Sequence, residues 1–93
     1  MVTMVSQLQV PDGVLFQDLK GEAVILNTND GQYYGLDEVG TRMWNLLAEH
    51  GQLEPVVQVM LAEYNVPEEK LRGDLLGLAE KLLEKGLLHE AEA

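Results

Sequence analysis

Gln32-Tyr33-Tyr34-Gly35-Leu36-Asp37-Glu38-Val39-Gly40-Thr41-Arg42-Met43-Trp44 is the stretch in which the hydrophobic period changes, and the fold turns on it. Residues 32–36 read as a strand, with two adjacent tyrosines pointing to opposite faces. Asp37 is a good N-cap, and beyond it Val39, Met43, Leu46 and Leu47 recur at helical spacing with Trp44 beside them. The chain therefore passes from sheet to helix between Leu36 and Asp37.

Upstream, Asn27-Thr28-Asn29-Asp30-Gly31 is a turn of residues that tolerate left-handed backbone or bond their own main chain. Before it, residues 22–28 contain Ala23-Val24-Ile25-Leu26, a near-continuous apolar run as expected of a central strand. Lys20-Gly21 is a two-residue hairpin turn back to a first strand, Val14–Leu19. Pro11-Asp12-Gly13 is a further turn signal, and residues 1–13 are expected to be a loosely held lead-in. Three strands joined by tight turns make an antiparallel meander with residues 32–36 at its edge.

Downstream, His50-Gly51 closes the first helix through a glycine at C′. Pro55 suits a first helical turn, with Val56, Val57, Met60, Leu61 and Tyr64 following as a second amphipathic helix. Asn65-Val66-Pro67-Glu68-Glu69 starts a third, its acids favourably placed against the helix dipole. That helix runs to Lys85, where Gly86 stops it and Leu87 folds back. Residues 89–93 are a short acidic tail expected to fray. The expected fold class is α+β: a winged-helix-like domain over residues 14–88, with a three-stranded antiparallel meander followed by three helices.

Composition narrows the function. The chain has 93 residues, room for one domain. Sixteen acids against six bases give a net charge of −10, which provides no footprint for a phosphate backbone or an anionic membrane. Cysteine is absent, which removes disulfides and thiolate metal sites. No apolar run is long enough to span a bilayer, and the first ten residues lack a basic leading region, so a soluble cytoplasmic protein is expected. There is no phosphate-binding glycine loop and no His-x-x-x-His spacing, and the only serine, Ser6, lies in the lead-in. Neither an enzyme nor a cofactor is expected. His50 and His89 are expected to face solvent, and Trp44 to lie in the core.

The candidate site is an edge. Natural edge strands are usually guarded by lysine, proline or an inward charge, and Gln32, Tyr33, Tyr34, Gly35 and Leu36 include none of these. Gly35 leaves room for an approaching backbone. On the third helix, Leu71, Leu75, Leu78 and Leu82 form one stripe, and Leu76, Ala79 and Leu83 a second. Both stripes can be core, or part of one can line a groove beside the sheet. A lead-in segment folded over the edge, residues 1–9, is the competing expectation.

The ordered set of Ala23-Val24-Ile25-Leu26, the stretch from Asp30 to Trp44, the helix from Val56 to Tyr64, Asp74-Leu75 and the terminal Leu82-Leu83-Glu84-Lys85-Gly86-Leu87-Leu88 resembles the PqqD-like family, also called the RiPP recognition element. The resemblance implies a domain that binds the leader segment of a ribosomally made precursor peptide as an added strand. It points to residues 32–36 for backbone pairing and to Leu71, Asp74, Leu75 and Leu78 for side-chain contacts. Within the family the chain looks most like the free-standing leader-binding protein of lasso-peptide clusters. Its implied partners there are the precursor leader, a leader peptidase of the transglutaminase-like cysteine protease type, and a cyclase. The alternative implied by the resemblance is a peptide chaperone of the PQQ pathway serving a radical SAM enzyme. A winged-helix DNA-binding regulator is disfavoured because the second helix, residues 55–64, carries Glu63 and no Arg or Lys. A dimerisation or scaffold module is the remaining reading.

Overall fold

The computed structural model describes residues 2–91. In chain order its elements are β1 (Leu8–Gln9), β2 (Val14–Leu19), β3 (Glu22–Asn27), β4 (Gln32–Gly35), α1 (Glu38–His50), α2 (Leu53–Glu63), α3 (Glu68–Glu84) and β5 (His89–Glu90). The expected meander and three helices are present, with the sheet in the order β2-β3-β4.

Turn chemistry sets the register. Lys20 and Gly21 both adopt positive φ, 57° and 88°, as a tight two-residue hairpin requires, and Asp18 Oδ1 accepts the Gly21 N–H at 2.7 Å. In the next turn Asn27 Oδ1 accepts the Asn29 N–H (3.0 Å) and Asp30 Oδ1 accepts the Gln32 N–H (2.8 Å). These local bonds hold Leu26 opposite Tyr33 and Ile25 opposite Tyr34. Alternation then gives β3 an inner face of Ala23, Ile25 and Asn27, all buried, and an outer face of Val24 and Leu26, half-buried.

The helices cover the inner face. Asp37 caps α1 by accepting the Gly40 N–H at 2.8 Å, and Gly51 ends it at φ 73°. Trp44 is fully buried, as expected, and Phe16 meets it edge-on with ring centroids 5.2 Å apart. α2 begins at Leu53, two residues before Pro55. The proline therefore sits at the third helical position, where its missing N–H would have had no intrahelical partner. Arg72 ties α3 to α2 through a two-pronged contact with Glu54 (2.7 and 2.9 Å), and Arg42 ties α1 to Glu63 of α2. α3 ends with the Gly86 N–H on Leu83 O and the Leu87 N–H on Leu82 O, which turns Leu87 into the core.

The two chain ends differ from expectation. The lead-in and the tail pair with each other: β1 lies antiparallel to β5, and the Ala91 N–H bonds Gln7 O at 2.8 Å. Val2 and Leu8 are buried, the Leu8 N–H reaches Gly51 O (2.7 Å), and Met4 O accepts a free first-turn donor of α2 at Glu54 (3.3 Å). The scattered apolar residues of this segment thus fill the core, and its backbone bonds two helix ends. Met1 of the lead-in and residues 92–93 of the tail lie outside the described residues.

Candidate peptide-binding site

The outer side of β4 is open. The Leu36 N–H bonds Ala23 O at 2.9 Å, which makes that pair hydrogen-bonded, and antiparallel alternation makes Ile25 and Tyr34 the next such pair. Tyr33 and Gly35 are the intervening residues, so their N–H and C=O groups point away from β3. No other strand covers them among the described residues, because the lead-in strand β1 pairs with β5 instead. Tyr33 is 70% exposed on the outer face, and Tyr34 is half-buried on the inner one.

Thr41 fixes where β4 hands over to α1. Its hydroxyl accepts the Ala23 N–H at 2.7 Å and lies 3.3 Å from Leu36 O, to which it donates. The hydroxyl bridges strand and carbonyl where the ladder would otherwise continue, so β4 ends at Gly35 and Leu36 turns toward α1. Gly40 leaves room for the cap, since a side chain there would crowd Asp37 Oδ1 at 3.1 Å.

Beside the open edge runs a groove of about 240 Å³. Tyr33, Tyr34, Gly35 and Leu36 form one bank, and Leu78, Lys81, Leu82, Lys85 and Leu87 the other. Asn27 secures the lower end of α3, its side-chain amide reaching Lys85 O at 3.4 Å. A second, smaller depression of about 80 Å³ lies at the N-terminal half of α3, among Val39, Met43, Tyr64, Val66, Leu71 and Asp74.

The expected site residues divide between these places. Tyr33, Tyr34, Gly35, Leu36 and Leu78 come together at the groove, with Gln32 at the start of the same strand. Leu71 and Asp74 border the second depression, and Asp74 is exposed and paired with Lys70 at 3.0 Å. Leu75 is 0% exposed and Leu71 only 4%, so both serve the core. One leucine stripe thus faces different neighbours along its length, α2 and α1 at the start of α3 and β4 toward its end. Ala79 of the second stripe is buried, with Leu76 and Leu83 packed against the core. Lys81 and Lys85 are groove residues that sequence reasoning did not single out. Their spacing from Leu78 and Leu82 (i, i+3, i+4, i+7) was the available signal.

Other chemistry is thin. Among the described residues no three His, Asp or Glu side chains gather to hold a metal ion, and no helix is long and apolar enough to cross a membrane. His50 and His89 are exposed. The resolved pKa shifts belong to interhelical ion pairs: Arg72 holds Glu54 below the ordinary carboxylate range, and Arg42 does the same to Glu63.

An unpaired strand edge beside an apolar helix face is the geometry of β-strand addition. The chain belongs to the PqqD family: the family model for coenzyme PQQ synthesis protein D matches residues 22–88, as the resemblance in the sequence implied. Two solved structures are similar over nearly their whole length. TbiB1 in complex with the TbiA(beta) leader peptide is 34% identical, with 91% of this chain and 99% of that chain covered at a TM-score of 0.84. A lasso peptide synthetase B1 complexed with its leader peptide shares the fold at 19% identity, with 90% and 99% coverage and a TM-score of 0.82. Comparison with curated proteins returns no match.

Proposed function

We propose that this chain is a non-catalytic adaptor that binds the leader segment of a ribosomally made precursor peptide and presents it to a leader peptidase and a cyclase in lasso-peptide biosynthesis. The leader adds as a strand to β4, bonding the outward N–H and C=O groups of Tyr33 and Gly35, and rests against Leu78 and Leu82 of α3. Asp74 meets a further part of the leader at the second depression, where Leu71 is a nearly buried part of the wall and Leu75 belongs to the core. The observation that carries this reading is the open β4 edge facing the groove, in a chain 34% identical to a protein solved with a leader peptide.

The protein contributes a preformed template. The edge supplies up to four backbone hydrogen bonds without reading side chains, and the groove reads alternate side chains on the Tyr34 side. The experiment is titration of the TbiA(beta) leader peptide into the full chain, followed by precursor cleavage by a separate peptidase with and without the adaptor. Saturable binding and cleavage that depends on the adaptor support the proposal. Equal cleavage in its absence would contradict the presentation step.

The family model's own description favours a second reading, a chaperone of the PQQ pathway whose enzyme partner is a radical SAM protein. Both readings use the same edge and differ in the guest. Competition between a lasso leader and a PQQ precursor peptide for one binding site decides between them.

A further inference from the structure

The chain is strongly acidic, yet one bank of its groove is basic. Of the six cationic side chains, Arg42, Lys70 and Arg72 each have a carboxylate within 4 Å. Among the described residues Lys20, Lys81 and Lys85 have none. Lys20 sits in the β2–β3 hairpin turn; Lys81 and Lys85 both line the groove opposite β4.

We infer that the groove selects a guest strand carrying an Asp or Glu on its α3-facing side, held by Lys81 and Lys85; the inference rests on the strand-addition reading above. Two lysines at i and i+4 repel one another, and an anion between them relieves that repulsion. Helix-dipole compensation accounts for cations in a last turn but not for their placement. Glu80 and Glu84 occupy the same turns. They share a shallow depression with Lys81 and Lys85 on the far side of α3, beside Gly73 and Gly77, and also border Val2, Leu83 and His89, but neither lines the groove. Of these four side chains only the two lysines line the groove. Side chains of an added strand alternate, so only the guest residues on the Tyr34 side reach these ammonium groups. Leu78, Leu82 and Leu87 flank the lysines, so the neighbouring guest positions on that side are apolar.

The test is selection from a displayed library of random twelve-residue peptides against the full chain and against its Lys81→Glu/Lys85→Glu variant. Both lysines are exposed, so the variant keeps the core, and circular dichroism checks its fold. The wild type is expected to enrich Asp or Glu at one position, and the variant Lys or Arg at the same position. Lys81→Gln or Lys85→Gln should each weaken a selected acidic peptide by about two- to fivefold, less at high salt. Edge-binding peptides with no charge preference, or with the same preference for both proteins, would overturn this inference and leave the strand-addition reading standing. Recovery of no peptide, or of peptides that leave the Tyr33 and Gly35 amides unperturbed, would overturn both.

Discussion

Replacing Gly35 with proline separates the edge that binds from the ladder that folds. The Gly35 N–H points away from β3, so the substitution removes no β3–β4 hydrogen bond. Nothing lies within 4 Å of a side chain built at Gly35, so the ring meets no clash on the face of the sheet. Its Cδ instead occupies the line along which a guest carbonyl approaches. The Gly35 N–H···O bond is lost and the C=O partner bond is splayed. At about 0.5–1.5 kcal/mol net per backbone hydrogen bond, two bonds amount to roughly 1–3 kcal/mol. Affinity should therefore fall by about 5- to 150-fold. Tyr34→Pro is the companion variant, since the Tyr34 N–H faces β3 and its loss strikes the fold itself. Fluorescence polarisation with a labelled leader and urea unfolding of both variants give the comparison. Gly35→Pro should bind poorly and unfold near the wild-type midpoint, whereas Tyr34→Pro should unfold markedly earlier. Wild-type affinity in Gly35→Pro, or equal destabilisation by the two prolines, would refute the assignment of inward and outward amides.

The α3 leucines should split by position: Leu75→Ala should cost about 2–5 kcal/mol of stability in urea unfolding, while Leu78→Ala should chiefly weaken peptide binding. Thr41→Val keeps the side-chain shape but strands the Ala23 N–H and Leu36 O, and should cost about 1–3 kcal/mol by thermal melting. The Glu54–Arg72 and Glu63–Arg42 pairs should make stability sensitive to acid. Their carboxyls have folded pKa values below the unfolded ones, so their contribution is present above the ordinary carboxylate range and lost as pH falls through the depressed values. A urea-midpoint series across that window should show the loss, and Arg72→Gln should flatten it.

Much of this was legible in the sequence because local chemistry decides it. The Lys20-Gly21 and Asn27-to-Gly31 turns, the Asp37 cap and Gly86 each specify their geometry within a few residues, and the meander and helices follow. The pairing of β1 with β5 was not legible, since it joins segments about eighty residues apart and no turn connects them. In the site, period-2 alternation placed Tyr33 and Tyr34 on opposite faces. The division of the α3 stripe was hidden because Leu71, Leu75 and Leu78 share one helical face. Only tertiary packing shows that Leu75 is fully buried whereas Leu78, half-buried against the core, also lines the groove. Lys85 is legible only as a helix end and Lys81 carries no signal of its own, because sequence alone does not show which surface a final turn faces.

Amide hydrogen exchange at β4, with and without saturating leader peptide, tests strand addition most directly. In the free protein the Tyr34 amide should already be protected, while those of Tyr33 and Gly35 exchange quickly. On binding, the Tyr33 and Gly35 amides should slow by orders of magnitude and Tyr34 should change little. A bound complex in which Tyr33 and Gly35 still exchange at their free rates would contradict the account.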